Sequence, residues 1–139
     1  MNMLLLLDTN VCVHLINRRP GYERLLAHVA KREYGDILIS AITVAELDFG
    51  VAKSARGAEN RSRLDLFMAR FEIAAFDGQA AAAYGPLRSH LQSRGTPIGP
   101  LDTLIAAHAL ALGATLITSN VREFKRVPGL KLENWLEAP

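Results

Sequence analysis

Asp8, Glu46, Asp102 and Glu123, together with the amide of Asn120, are the side chains in this sequence best placed to do chemistry. Asp8 directly follows the apolar run Met3-Leu4-Leu5-Leu6-Leu7. Glu46 falls in the first turns of a helical stretch after a second apolar run, Asp36-Ile37-Leu38-Ile39. Asp102 opens another helical stretch behind Gly99-Pro100, and Asn120 and Glu123 come just after Thr115-Leu116-Ile117-Thr118. Side-chain oxygens of this kind, once gathered, make a hard ligand set that suits Mg²⁺ or Mn²⁺.

Each acid has a purely structural alternative. Asp8 and Asp102 could be helix N-caps, worth about 1 kcal/mol each. Glu46 could close a capping box with Thr43, because Thr43-Val44-Ala45-Glu46 has the required spacing. Against this, Glu46 shares a helical face with Ile42 and Phe49, an apolar stripe expected to face the core. Asp102 leads into Leu104, Ile105, Ala106, Ala107 and Ala109, so little of it should face bulk water. Two carboxylates about 5 Å apart repel by about 3 kcal/mol at an effective dielectric of 20, and several such pairs outweigh what capping returns. A divalent cation among the oxygens removes that cost.

Other chemistries find little support. Cys12 is the single cysteine, and a small buried hydrophobe is its expected role. No Gly-x-Ser-x-Gly elbow is present. His14, His28, His90 and His108 are scattered, without a zinc-type spacing. A phosphatase of the haloacid-dehalogenase type, using Asp8 as nucleophile, would want a second Asp at position 10, where Asn10 stands. A receiver domain would need an acidic pair that is missing before Asp8.

The elements that must position these groups alternate. Four short apolar runs, Met3 to Leu7, Asp36 to Ile39, Ile73 to Phe76 and Thr115 to Thr118, read as buried strands. Between them lie helical stretches near Tyr22 to Arg32, Ile42 to Lys53, Glu59 to Arg70, Gln79 to Arg94 and Asp102 to Leu112. Asp77 is a candidate N-cap and Gly113 a candidate helix stop. The alternation predicts an α/β fold, a mainly parallel central sheet flanked by helices on both faces, in a single domain over residues 1–139. In such sheets sites open beyond the carboxyl ends of the strands, the edge at which all the acids can converge.

Half of the residues are hydrophobic and 22% are charged, the composition of an ordinary globular protein. The opening apolar run is stopped by Asp8 too early for a signal-peptide core or a membrane span. A cytoplasmic domain without membrane contact is expected. The formal charge is +2, yet the sixteen basic residues include twelve arginines. With Asp8, Glu46, Asp102 and Glu123 gathered in one pocket, the remaining surface carries sixteen bases against ten acids, which suits an anionic polymer. Arg18, Arg19, Lys53, Arg56, Arg61, Arg63, Arg122, Lys125 and Arg126 are candidate phosphate contacts. Trp135 is expected to pack the C-terminal segment onto the core, with base stacking the alternative.

Four segments, Leu7-Asp8-Thr9-Asn10, the Glu46 stretch, Gly99-Pro100-Leu101-Asp102-Thr103-Leu104-Ile105-Ala106 and Ile117-Thr118-Ser119-Asn120-Val121-Arg122-Glu123-Phe124, resemble the successive signatures of PIN domains in order and spacing. The closing Arg126-Val127-Pro128-Gly129-Leu130 with Glu133-Asn134-Trp135 is similar to the tail of VapC toxins, especially the branch that cuts initiator tRNA. The resemblance implies a PIN-domain fold and a Mg²⁺-dependent endoribonuclease, with Mn²⁺ able to substitute. Asp8, Asp102 and Glu46 would be its metal-site residues, and Thr9 would orient its neighbours. A fourth acidic position common in PIN domains holds Asn120 here, so Glu123 would share that role. The resemblance further implies a tRNA anticodon loop as RNA substrate, a VapB-type antitoxin wrapping the region around residues 42 to 70, operator DNA reached only through that antitoxin, and a homodimer. Cleavage of DNA or flaps would use the same acidic chemistry. A binding module with a weakened site is the non-enzymatic alternative, and Asn120 is its best support.

Overall fold

The computed structural model describes residues 3–137. Met1 and Asn2, and the last two positions of the expected single domain, lie outside the described residues. Strand β1 (Leu5–Leu7) runs into helix α1 (Thr9–Ile16), followed by α2 (Tyr22–Ala30), β2 (Ile37–Ser40), α3 (Ala41–Ala52), α4 (Gly57–Met68) and β3 (Glu72–Ala74). The second half comprises α5 (Gly78–Ser93), α6 (Pro100–Leu112), β4 (Thr115–Ile117), α7 (Val121–Phe124) and β5 (Leu132–Glu133).

The strands form one sheet in the order β3-β2-β1-β4-β5, and every pairing is parallel. Side chains alternate across a strand, so β1 sends Leu5 and Leu7 to one face and Leu6 to the other. Leu5 and Leu7 join Val11, Leu15, Leu25, Leu47, Leu64 and Phe67, the inward residues of α1 to α4. Leu6 joins Leu87, Leu91, Ile105, Ala106 and Phe124, from α5 to α7. Helices thus cover both faces, as the alternating pattern predicts, and the three leucines of β1 are essentially inaccessible to solvent.

Two expected features differ. The run Ile73 to Phe76 is not a buried strand: β3 covers Glu72–Ala74 at the sheet edge, and Ile73 is 48% exposed. Asp102 does not cap α6, because that helix begins at Pro100 with Gly99 in the cap position. Proline is favoured at that first position, where its missing N–H would have had no partner anyway. Asp77 does cap α5 through the Ala80 amide, and Gly113 ends α6 in the left-handed conformation (φ 65°) that a side chain would resist.

Strand β1 lies at the turning point of the sheet: the chain builds outward through β2 and β3, then returns to β1's other flank with β4 and β5. Crevices for ligands open at such a point, beyond the carboxyl ends of the strands. Here those ends are Leu7 and Ile117, which are register partners. The residues just after them are Asp8 and Thr118.

Candidate metal centre

Asp8 combines the roles of helix cap and buried acid. It is 2% exposed, and its Oδ1 accepts the Thr9 amide at 2.8 Å as α1 begins. Its Oδ2 accepts the Thr118 hydroxyl, also at 2.8 Å, across the β1–β4 junction. Burial raises its pKa above the ordinary aspartate value. The two hydrogen bonds pull the other way, and the charges of Glu46 and Glu123 add to the rise.

Thr9 ties α1 to α3. Its hydroxyl lies 2.8 Å from Glu46 Oε1 and 2.9 Å from Thr43 Oγ1. The cap of α3 is Ser40, whose Oγ accepts the Ile42 amide, so Thr43 and Glu46 do not form a capping box. Both side chains turn toward Thr9 instead. The Ile42, Glu46 and Phe49 face is the core stripe expected from sequence only at its start: Ile42 packs against the core, but the residues α3 buries are Thr43 and Leu47, and Phe49 is 65% exposed.

On the other flank, Asn120 and Glu123 act together. Thr118 Oγ1 accepts the Asn120 backbone amide at 2.9 Å, and the Asn120 side-chain amide donates to Glu123 Oε2 at 2.6 Å. Glu123 Oε1 accepts the Gly99 amide at 2.9 Å. These contacts, the Gly99 amide foremost, hold Glu123 below the ordinary glutamate pKa. Asp102 faces the same Gly99: a methyl group built there would stand 3.7 Å from Asp102 Oδ2 and 3.9 Å from Glu123 Oε1.

Asp102 feels the gathering of acids most. Its pKa is pushed up to about 7, by burial first and then by the charges of Asp8, Glu123 and Glu46. So raised, Asp102 is about half protonated near neutrality without metal, and its contact with Glu123 favours the protonated form. Among the described residues, no three His, Cys, Asp or Glu side chains stand at metal-ligand spacing. The donor set nevertheless fits a hard divalent cation: all its donors are oxygens, and the crowded negative charge that raises the Asp102 pKa is what a cation would neutralise.

Sequence reasoning missed three contributors. Thr118 anchors both Asp8 and Asn120, Thr43 shares the Thr9 hydroxyl, and the Gly99 backbone fixes Glu123. Thr118 had a visible signal, being the polar residue that ends an apolar strand. The other two are tertiary contacts without a local signature. Trp135 is buried and stacked on His28 at 4.6 Å, so it packs the core and offers no base platform. Of the basic candidates, Arg61 is paired with Asp48 and Asp65, Arg63 donates to the Ile16 carbonyl, and Arg126 donates to the Pro97 carbonyl.

Comparison with known proteins agrees with this layout. The sequence profile of the PIN domain matches residues 5–130. Ribonuclease VapC2 of Rickettsia felis is 48% identical over 134 residues, 96% of this chain and 98% of the relative. The tRNA(fMet)-specific endonuclease VapC of Salmonella typhimurium is 38% identical over 132 residues, 94% of this chain and 96% of the relative. Among solved structures, VapBC2 from Rickettsia felis bound to a promoter DNA fragment superposes with a TM-score of 0.87 at 46% identity, covering 96% of this chain and 99% of the other. DNA-bound VapBC from Salmonella typhimurium gives 0.90 at 37% identity, with 96% and 98% covered. Agreement over this length, at these identities and onto this sheet, means that the chain belongs to the PIN-domain family.

Proposed function

We propose that this protein is a metal-dependent endoribonuclease, the VapC-type toxin of a toxin–antitoxin pair, and that residues 1–139 act as one domain. The observation that carries the reading is the convergence of Asp8, Glu46, Asp102 and Glu123 beyond the carboxyl ends of β1 and β4, close enough that burial and its neighbours' charges raise the Asp102 pKa to about 7. Asp8, Asp102 and Glu46 would hold Mg²⁺, with Mn²⁺ able to replace it. The bound cation supplies a more acidic water for in-line attack on a phosphodiester and charge for the leaving oxygen.

The chain's own groups set up that chemistry. Thr118 and the Thr9 amide fix both oxygens of Asp8. Thr9 orients Glu46, while Asn120 and the Gly99 amide hold Glu123 ionised beside Asp102. Asn120 therefore contributes by positioning Glu123 rather than by supplying charge. Asp102 must release its proton before it can serve as a charged ligand.

The substrate is RNA, and a tRNA anticodon loop, that of initiator tRNA, suits a compact acidic pocket because unstacked strands can bend a phosphate inward where an A-form helix cannot. The name of the Salmonella relative supports that choice. A VapB-type antitoxin would restrain the enzyme and bring it to operator DNA, and a homodimer would be the working unit. Two open grooves flanking α1 give the antitoxin apolar floors, one of about 370 Å³ floored by Leu15, Leu26 and Phe67 and one of about 410 Å³ floored by Val13, Leu47 and Leu64. Among the described residues no helix is long and apolar enough to cross a membrane.

The test is cleavage of total cellular RNA with Mg²⁺ by the wild type beside Asp8→Asn and Asp102→Asn, with every cut end mapped by sequencing. Cuts confined to one anticodon loop and lost in both variants are expected. A folded wild type that cleaves no RNA at any metal concentration would leave the weakened binding module as the better account.

A further inference from the structure

We infer that Phe49 and Lys53 form a subsite that stacks one unpaired RNA base and holds an adjoining phosphate beside the acidic pocket. This rests on the ribonuclease reading above. Phe49 is 65% exposed, although burying a phenylalanine is among the larger gains open to a folding chain. It follows Glu46 by three residues, about 4.5 Å along the axis of α3, on the same side of the helix. Long helical side chains lean toward the N-terminus, which carries the ring back toward the Glu46 turn. Lys53 leans the same way, and its Nζ stands 5.2 Å from the centre of the Phe49 ring.

Three consecutive turns of one helix thus present a carboxylate, an exposed aromatic face and a cation, running outward from the pocket. That order is the one an RNA strand requires: a site for the scissile phosphate, a surface for a base and a charge for a neighbouring phosphate. Base stacking on an aromatic side chain tolerates any sequence, because every base has a π face.

The glycine beside the ring points the same way. Gly50 lies inside α3, where glycine weakens a helix relative to alanine, yet a methyl group added there would meet nothing within 4 Å. No packing within the chain calls for glycine at this position. Alanine occupies the exposed position four residues before Phe49, so no large side chain stands on that side of the ring, and half-buried Gly50 leaves the helix surface low toward the groove beside Leu47. A flat ring system can lie against such a shelf. A second protein copy fits less well, since lysine is depleted at the centres of protein interfaces. Gly50 and Lys53 also edge the groove assigned above to the antitoxin, so antitoxin and RNA would compete for this end of α3.

The experiment uses the full chain carrying Asp8→Asn, so that RNA stays intact, and a single-stranded RNA oligonucleotide containing 2-aminopurine, whose fluorescence falls on stacking. Quenching is expected with this protein, is lost when Phe49→Leu is added and is retained with Phe49→Tyr. In the active background, Phe49→Leu should lower kcat/KM at least tenfold with an unchanged Tm, and Lys53→Gln should flatten the salt dependence of RNA binding by somewhat less than one unit of slope. Equal quenching by the leucine variant, absence of quenching throughout, or a change of oligomeric mass on Phe49→Leu would each overturn the subsite. Phe49-dependent quenching by a protein that cleaves no RNA with Asp8 restored would uphold the subsite and remove the ribonuclease reading.

Discussion

Asn120 donates its side-chain amide to Glu123 Oε2 at 2.6 Å, across the first turn of α7. The amide holds the glutamate without adding a negative charge to a crowded pocket. Asn120→Asp exchanges a charge-assisted hydrogen bond for a repulsive pair. Without metal it should lose about 1–3 kcal/mol of stability, and the Tm gained on adding Mg²⁺ should grow. Thermal melts with EDTA and with Mg²⁺ check this, and equal melts for both proteins would mean that the amide does not hold Glu123 in solution.

Asp102 gives the metal-free protein a pH signature. Its pKa is raised from 3.8 to about 7 on folding, so between those values the folded state keeps a proton that the unfolded state has released. That contribution to stability is full below the unfolded value and is lost as pH rises through about 7. Melts in EDTA from pH 4.5 to 8 should therefore decline across this window, and decline less for Asp102→Asn. Cations compete with the same proton, so apparent Mg²⁺ affinity should weaken as pH falls below about 7.

Thr9 offers a test of orientation without charge. Thr9→Val keeps the shape and removes the hydroxyl shared by Glu46 and Thr43. A hydrogen bond to a charged group is worth about 1.5–3 kcal/mol, so cleavage at limiting Mg²⁺ should fall by roughly ten- to a hundredfold. Thr9→Ser should recover most of it. Full activity in the valine variant would remove Thr9 from the site.

Trp135 should matter for stability alone. It is buried, stacks on His28, lies 4.8 Å from the Arg32 guanidinium and donates its indole N–H to Glu133. Trp135→Ala should cost about 3–5 kcal/mol. Denaturant midpoints would show it, and cleavage per folded molecule should persist at temperatures where the variant stays native.

Gly50→Ala should raise the unfolding free energy read from denaturant melts by about 0.5–1 kcal/mol, since the helix improves and the new methyl group meets nothing. If the bare shelf serves RNA, the same variant cleaves more slowly. A stabilised variant with undiminished kcat/KM would separate the glycine from substrate binding.

Much of this fold was legible because apolar runs alternate with helical stretches, and because each acid comes just beyond a strand or near a helix start. The hidden elements have physical reasons for being hidden. Helix α1 contains Val11, Val13 and Ile16, β-branched residues that read as extended chain, and only the cap by Asp8 and the burial of Val11, Cys12 and Leu15 reveal the helix. Helix α7 has four residues and β5 two, too few to show any period. At the site, Asp8 and Asp102 could be read from position. The grip of Thr43 and the Gly99 amide could not, because each joins residues far apart in sequence, and of Thr118 only its place as the polar end of an apolar strand could be read, not its partner Asp8. Phe49 was misread as core because its end of α3 is open to solvent, where helical spacing looks the same as it does over a hydrophobic interior.

The hydrogen bond from Thr118 to Asp8 spans 110 residues of chain. Asp8 is synthesised well before Thr118, so its second oxygen stays ungripped until β4 has been made and has slotted in beside β1. A nascent or truncated chain can hold much of its helical layer and still lack an assembled pocket. The later of the two strands thus completes the pocket, and a stop codon placed ahead of Thr115 should yield an innocuous polypeptide.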